Sequence, residues 1–91
     1  MTTNNPEVSS MARLRWACRR GMLELDIILL TFFESEFSRL SITDQYDFEL
    51  FLSEQDQDLY AWLLNFQPCP EPRYQTLLIK IRTYVEHHYS T

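Results

Sequence analysis

Apolar residues recur at helical intervals along most of this chain, interrupted where polar, glycine or proline residues gather. Residues 1 to 8 have only Met1 and Val8 as apolar positions, too few to offset the entropy of ordering them, so a disordered N-terminal tail is expected there. Ser9 or Ser10 offers an N-cap hydroxyl. Met11, Leu14 and Cys18 follow at helical spacing with Arg13, Arg15 and Arg19 between them, which predicts a first helix ending near Arg20. Gly21 suits a terminus that must turn, since glycine takes a positive φ without penalty. From Met22 to Phe33 nine of twelve residues are apolar, too continuous for a one-sided surface helix and too short to span a membrane. The pattern predicts a central, largely enclosed helix running to about Leu40.

Ser41 or Thr43 is placed to cap a third helix, with Tyr46, Leu50, Phe51 and Glu54 near one stripe and Asp44 and Asp47 near its start, where acids favour the helix dipole. Asp56 reads as the cap of a fourth helix carrying Leu59, Tyr60, Trp62, Leu63, Leu64 and Phe66. The stretch Pro68-Cys69-Pro70-Glu71-Pro72 then forbids helix. Pro72 fits the first position of a fifth helix, whose Tyr74, Leu77, Leu78, Ile81, Val85 and His88 form an amphipathic face. The expectation is an all-α fold, a single five-helix bundle domain over residues 9–91.

Composition supports this plan. In 91 residues the chain has 13 Leu but only 2 Val, and one Gly, which disfavours a sheet protein rich in tight turns. Apolar residues make up 45%, enough to build one core at this length. The net charge of -5 repels phosphate backbones and anionic lipid, so neither nucleic acid nor membrane insertion is expected. That charge is uneven. Residues 1–20 carry four Arg against one Glu, and residues 21–58 carry ten acids against one Arg. Such a dipolar surface suits a protein partner.

Candidate chemistry is sparse. Cys18 and Cys69 lie 51 positions apart with no Cys-x-x-Cys pair, so they read as reduced thiols in the cytoplasm rather than a disulfide framework. The opening MTTNNPEVSS lacks the pattern of a secretory signal. Cys18, Cys69, His87 and His88 could in principle supply four metal ligands, but adjacent histidines on a helix point about 100° apart and rarely share one ion. Asp56-Gln57-Asp58 lacks the glycine and terminal glutamate of a calcium loop, and one glycine cannot build a phosphate-binding loop. No catalytic residue, resident cofactor or metal site is expected.

What remains is Arg19-Arg20-Gly21-Met22-Leu23-Glu24-Leu25-Asp26, between the first two helices. One reading is purely structural, with Gly21 ending a helix and Glu24 and Asp26 at the start of the next. The other is a docking site: the missing Cβ of Gly21 lets another chain's backbone approach, between the opposite charges of Arg20 and Glu24. The run Trp16-Ala17-Cys18-Arg19-Arg20-Gly21-Met22-Leu23-Glu24-Leu25-Asp26 resembles the signature region of the succinate dehydrogenase assembly factors, small flavinators whose hallmark is Arg-Gly-x-x-Glu. Phe32-Phe33 and Asp56-Gln57-Asp58-Leu59-Tyr60-Ala61-Trp62-Leu63 extend the likeness over roughly residues 11–66.

The resemblance implies a protein that is not an enzyme. It would bind the flavoprotein subunit of succinate dehydrogenase, and in some bacteria fumarate reductase, and promote covalent attachment of FAD that belongs to the client. Arg20, Gly21 and Glu24 would contact the client, with Arg15, Trp16, Arg19 and Asp26 as the rim; Trp16 could equally pack in the core. The free chain would be a monomer. Replacing Gly21 or Glu24 is expected to impair client binding while barely shifting thermal unfolding. An antitoxin-like or other regulatory binding module is the alternative.

Overall fold

The computed structural model describes residues 6–89. These form five helices and no strand: α1 (Pro6–Ala17), α2 (Leu23–Glu36), α3 (Ile42–Phe51), α4 (Asp56–Leu63) and α5 (Gln75–Tyr89), with single 3-10 turns at Phe37–Arg39 and Pro72–Tyr74. The five-helix expectation holds. The boundaries differ at α1, which starts at Pro6, so residues 6–8 of the expected tail are helical; residues 1–5 lie outside the described residues. Proline at the first helical position has no N–H to leave unpaired and its φ is already helical. The helix also stops three residues short of Arg20, because the Cys18 and Arg19 amides tighten back onto Arg15 and Trp16 at 3.2 and 3.0 Å, a turn geometry that cannot propagate.

α2, α3 and α4 pack with α5 around a core rich in rings. Phe32, Phe33, Phe37 and Phe48 form one aromatic cluster with centroids 5.1–6.2 Å apart. Phe51, Trp62 and Tyr74 form a second. Leu25, Leu29, Leu59, Leu77 and Ile81 are fully enclosed between them. Leu59, Trp62 and Leu63 therefore belong to the core, as their spacing implied. The radius of gyration, 13.4 Å, exceeds the ~12 Å of a rounder chain of this length, and the molecule measures 47 × 26 × 24 Å. Leu14 and Ala17 of α1 pack against the core, while Met11, Arg13, Arg15 and Trp16 are exposed.

Three expectations about helix faces need correction. α2 is not enclosed all round: Leu25, Ile28, Leu29, Phe32 and Phe33 are buried, but Leu23 is 75% and Ile27 42% exposed. The inward stripe of α3 is Asp44, Asp47, Phe48 and Phe51, while Tyr46 and Leu50 face outward. Two acids can turn inward because α5 and the 3-10 turn before it supply cations, with Lys80 of α5 pairing with Asp44 and Arg73 of the Pro72–Tyr74 turn donating to Asp47 at 2.8 Å. On α5, Tyr84 is buried, Val85 is only partly covered and His88 is exposed, its ring stacked on Tyr84 at 4.0 Å. Ser41 caps α3, its hydroxyl accepting from the Asp44 amide at 3.1 Å. Asp56 does not cap α4: Gln55 holds that position, and Asp56 is the first helical residue.

Candidate docking site

The connection between α1 and α2 spans residues 18–22, and at Gly21 the backbone takes φ 85°. Only glycine adopts that region freely. Gly21 is exposed, and a methyl group placed on it would meet no heavy atom within 4 Å. The bend thus offers bare main chain to solvent rather than lying beneath its own side chains.

Two acidic groups fix the bend from opposite sides. Asp26, in the first turn of α2, reaches back so that its carboxylate accepts from the Arg20 amide at 2.7 Å and the Gly21 amide at 3.2 Å. This resembles a capping box, one residue deeper into the helix, and it serves where the N-cap Met22 has no side-chain bond to offer. On the other side, the Arg20 guanidinium turns inward, its side chain only 15% exposed. Its Nε donates to Asp56 Oδ1 at 2.7 Å, its Nη1 to the carbonyls of Ala17 at 2.9 Å and Leu52 at 2.7 Å, and its Nη2 to the Glu54 carbonyl at 2.7 Å. Four of its five donors are engaged within the chain.

The seven residues singled out from sequence therefore separate. Gly21, Glu24, Arg19 and Trp16 face solvent, and the Arg19 guanidinium lies 5.9 Å from the centre of the Trp16 ring. Trp16, 72% exposed, is not a core residue. Arg20 and Asp26 turn their charged groups into the molecule. Arg15 is exposed but drawn along α2, where it pairs with Glu34 and sits 5.8 Å from the centre of the Phe33 ring. Glu34 is ten residues beyond Glu24, roughly 15 Å along the helix, so Arg15 is not brought to Glu24.

Sequence reasoning missed three participants. Asp56, which by position suggests a cap, is the carboxylate that holds Arg20 across 36 residues. Leu23 and Ile27, exposed beside Glu24, add apolar surface. Glu24 and Ile27, with Ile28, Leu64 and Val85, line an open groove of about 300 Å³ between α2 and α5. The signal for the exposed pair was present, because nine apolar residues in twelve are more than one buried face of a helix requires.

Burial pushes the Cys18 thiol up to about 12 against the nearby Arg20 and Arg15 charges, so it is not a nucleophile at neutral pH. Cys69 is raised as well, again mainly by burial. Both cysteines are free. Among the described residues no group of three or more His, Cys, Asp and Glu is placed to hold a metal ion, and no helix is long and apolar enough to cross a membrane.

Residues 12–85 match the family described as flavinator of succinate dehydrogenase. The chain belongs to that family. It is 42% identical to the FAD assembly factor SdhE of Colwellia psychrerythraea over 76% of this chain and 81% of that protein. It is 38% identical to the FAD assembly factor SdhE of Shewanella oneidensis over 84% of this chain and 93% of that one. The solution structure of a UPF0350 protein superposes with a TM-score of 0.71 at 37% identity, covering 98% of this chain and 97% of the other. The match takes in the whole bend together with α2, α3 and α4, and α5 as far as Val85.

Proposed function

We propose that this chain is an FAD assembly factor that docks on the flavoprotein subunit of succinate dehydrogenase through the α1–α2 bend and promotes covalent attachment of FAD to that subunit. Family membership supplies the client. The observation that carries the docking site is the open space over Gly21, next to an exposed Glu24 and an exposed Trp16–Arg19 pair. A client backbone approaches closest where no Cβ intervenes. The Glu24 carboxylate then accepts hydrogen bonds from client N–H or cationic groups, while Trp16, Leu23 and Ile27 supply apolar contact. Arg15 extends the contact along α2, and Arg20 and Asp26 hold the bend from behind.

The chain contributes no catalytic group to this scheme and is not an enzyme. The FAD is the client's, and the client's own residues form the bond. By binding one arrangement of the client more tightly than the others, the factor raises its population, and a correctly held arrangement lowers the barrier by several kcal/mol without donated chemistry. Fumarate reductase is a second client of the same chemistry, and the free factor is a cytoplasmic monomer.

The test is to produce the client subunit alone, with the parent, or with Glu24→Ala or Gly21→Arg, and to read covalent flavin by in-gel fluorescence. The parent should give a fluorescent client band and both variants a weak one. Equal fluorescence with and without the factor would overturn the proposal.

A further inference from the structure

The arginine of the signature is the residue whose geometry fits a client contact least. Its guanidinium is 15% exposed, and it joins the end of α1, through the Ala17 carbonyl, to the α3–α4 loop, through the carbonyls of Leu52 and Glu54 and the Asp56 carboxylate. From the other side, Asp26 accepts from the Arg20 and Gly21 amides. Residues 18–22 have no regular helical ladder of their own. We infer that Arg20, Asp26 and Asp56 are positioning residues, which hold the Gly21 backbone and Glu24 in one client-ready arrangement without touching the client. This inference rests on the docking role of the bend.

The physical basis is preorganisation. A five-residue bend with φ 85° at its glycine samples many conformations unless something outside it selects one. If only a fraction of molecules hold the competent form, the apparent dissociation constant rises by the inverse of that fraction. A planar fork that reaches two carbonyls of another loop and a carboxylate at once is a task for arginine, because a lysine ammonium is a point charge that cannot satisfy those directions together. An ion pair closed within the factor also has a different signature from one made to the client. Losing an intermolecular charge contact lowers the salt dependence of binding, whereas losing an internal one leaves it unchanged.

The experiment titrates the apo flavoprotein subunit of succinate dehydrogenase with the parent, Arg20→Lys, Asp56→Asn, the double variant and Glu24→Ala, each at two salt concentrations. Amide exchange of Arg20 and Gly21 is followed by NMR in the free factors. Arg20→Lys, which keeps the charge, should bind roughly tenfold or more weakly, and its two bend amides should exchange faster. The double variant should bind no more weakly than Arg20→Lys, because both changes break one network. Glu24→Ala should also bind more weakly, but with a reduced salt slope. Parental affinity for Arg20→Lys would show that positive charge alone suffices and would overturn the inference while leaving the docking reading intact. Parental affinity for Glu24→Ala would overturn the docking reading itself. Should Arg20→Lys lose its helical circular-dichroism signal, Asp56→Asn carries the test: a severalfold weaker affinity at unchanged salt slope supports the inference, and parental affinity overturns it.

Discussion

At Gly21 the backbone angle and the open space pull stability and function apart. The space accommodates a side chain, but φ 85° does not, so Gly21→Ala should cost about 1–2 kcal/mol of folding stability. The same angle strains Gly21→Arg, against the expectation that its thermal unfolding shifts little. Glu24 has no such constraint: it is exposed on the first turn of α2, and Glu24→Ala should stay within about 0.5 kcal/mol of the parent. Urea denaturation of the two variants checks both figures. A Gly21→Ala midpoint equal to the parent's would mean that the bend relaxes. The residue scale also shows why Arg20 was legible as important but not in its orientation. The sequence places a guanidinium beside a glycine; the four acceptors that turn it inward lie at Ala17, Leu52, Glu54 and Asp56, most of them more than 30 residues away.

Among the elements, the core face of α4 is legible, α2 only in part and α3 poorly. Leu59, Trp62 and Leu63 at helical spacing identify the buried face of α4, whereas in α2 the apolar Leu23 and Ile27 extend the pattern beyond the face that is buried. In α3 the apolar Tyr46 and Leu50 compete with Asp44 and Asp47 for the inward side, and the acids win because Lys80 on α5 and Arg73 in the turn before it pair with them. No pattern within α3 announces those partners. Alanine substitutions separate the faces: Phe48→Ala should cost about 3–5 kcal/mol through the cavity it leaves beneath Phe32, Phe33 and Phe37. Tyr46→Ala, at an outward position, should cost about 0.5 kcal/mol or less. Thermal melts of the pair decide it, and comparable losses would mean that the packing of α3 is misassigned.

For the whole molecule, burial couples stability to alkaline pH. The Cys18 thiol rises from 9.0 to about 12, chiefly through desolvation. The Tyr74 hydroxyl is raised by burial first and then by its hydrogen bond to Glu54. Between pH 9 and pH 12 the folded chain keeps protons that the unfolded chain releases, so stability falls as pH rises, by at most about 1.4 kcal/mol per pH unit per group. The contribution is complete below about pH 9. Urea midpoints at pH 7.5 and pH 10.5 should therefore drop for the parent and drop less for Cys18→Ala. An equally steep loss in Cys18→Ala would remove the thiol from the account.

The chain by itself determined the helical class, the positions of most breaks, the bulk of the core and the segment that forms the exposed α1–α2 bend. These depend on local spacing, on the conformational habits of glycine and proline, and on a run of residues shared with the family. Only the tertiary structure decided which way the charged groups point. It turned Arg20 and Asp26 inward, left Trp16, Leu23 and Ile27 in solvent, and recruited Asp56. The reason is that a charged side chain goes where its partners are, and those partners are brought near by packing between helices rather than by position along the sequence.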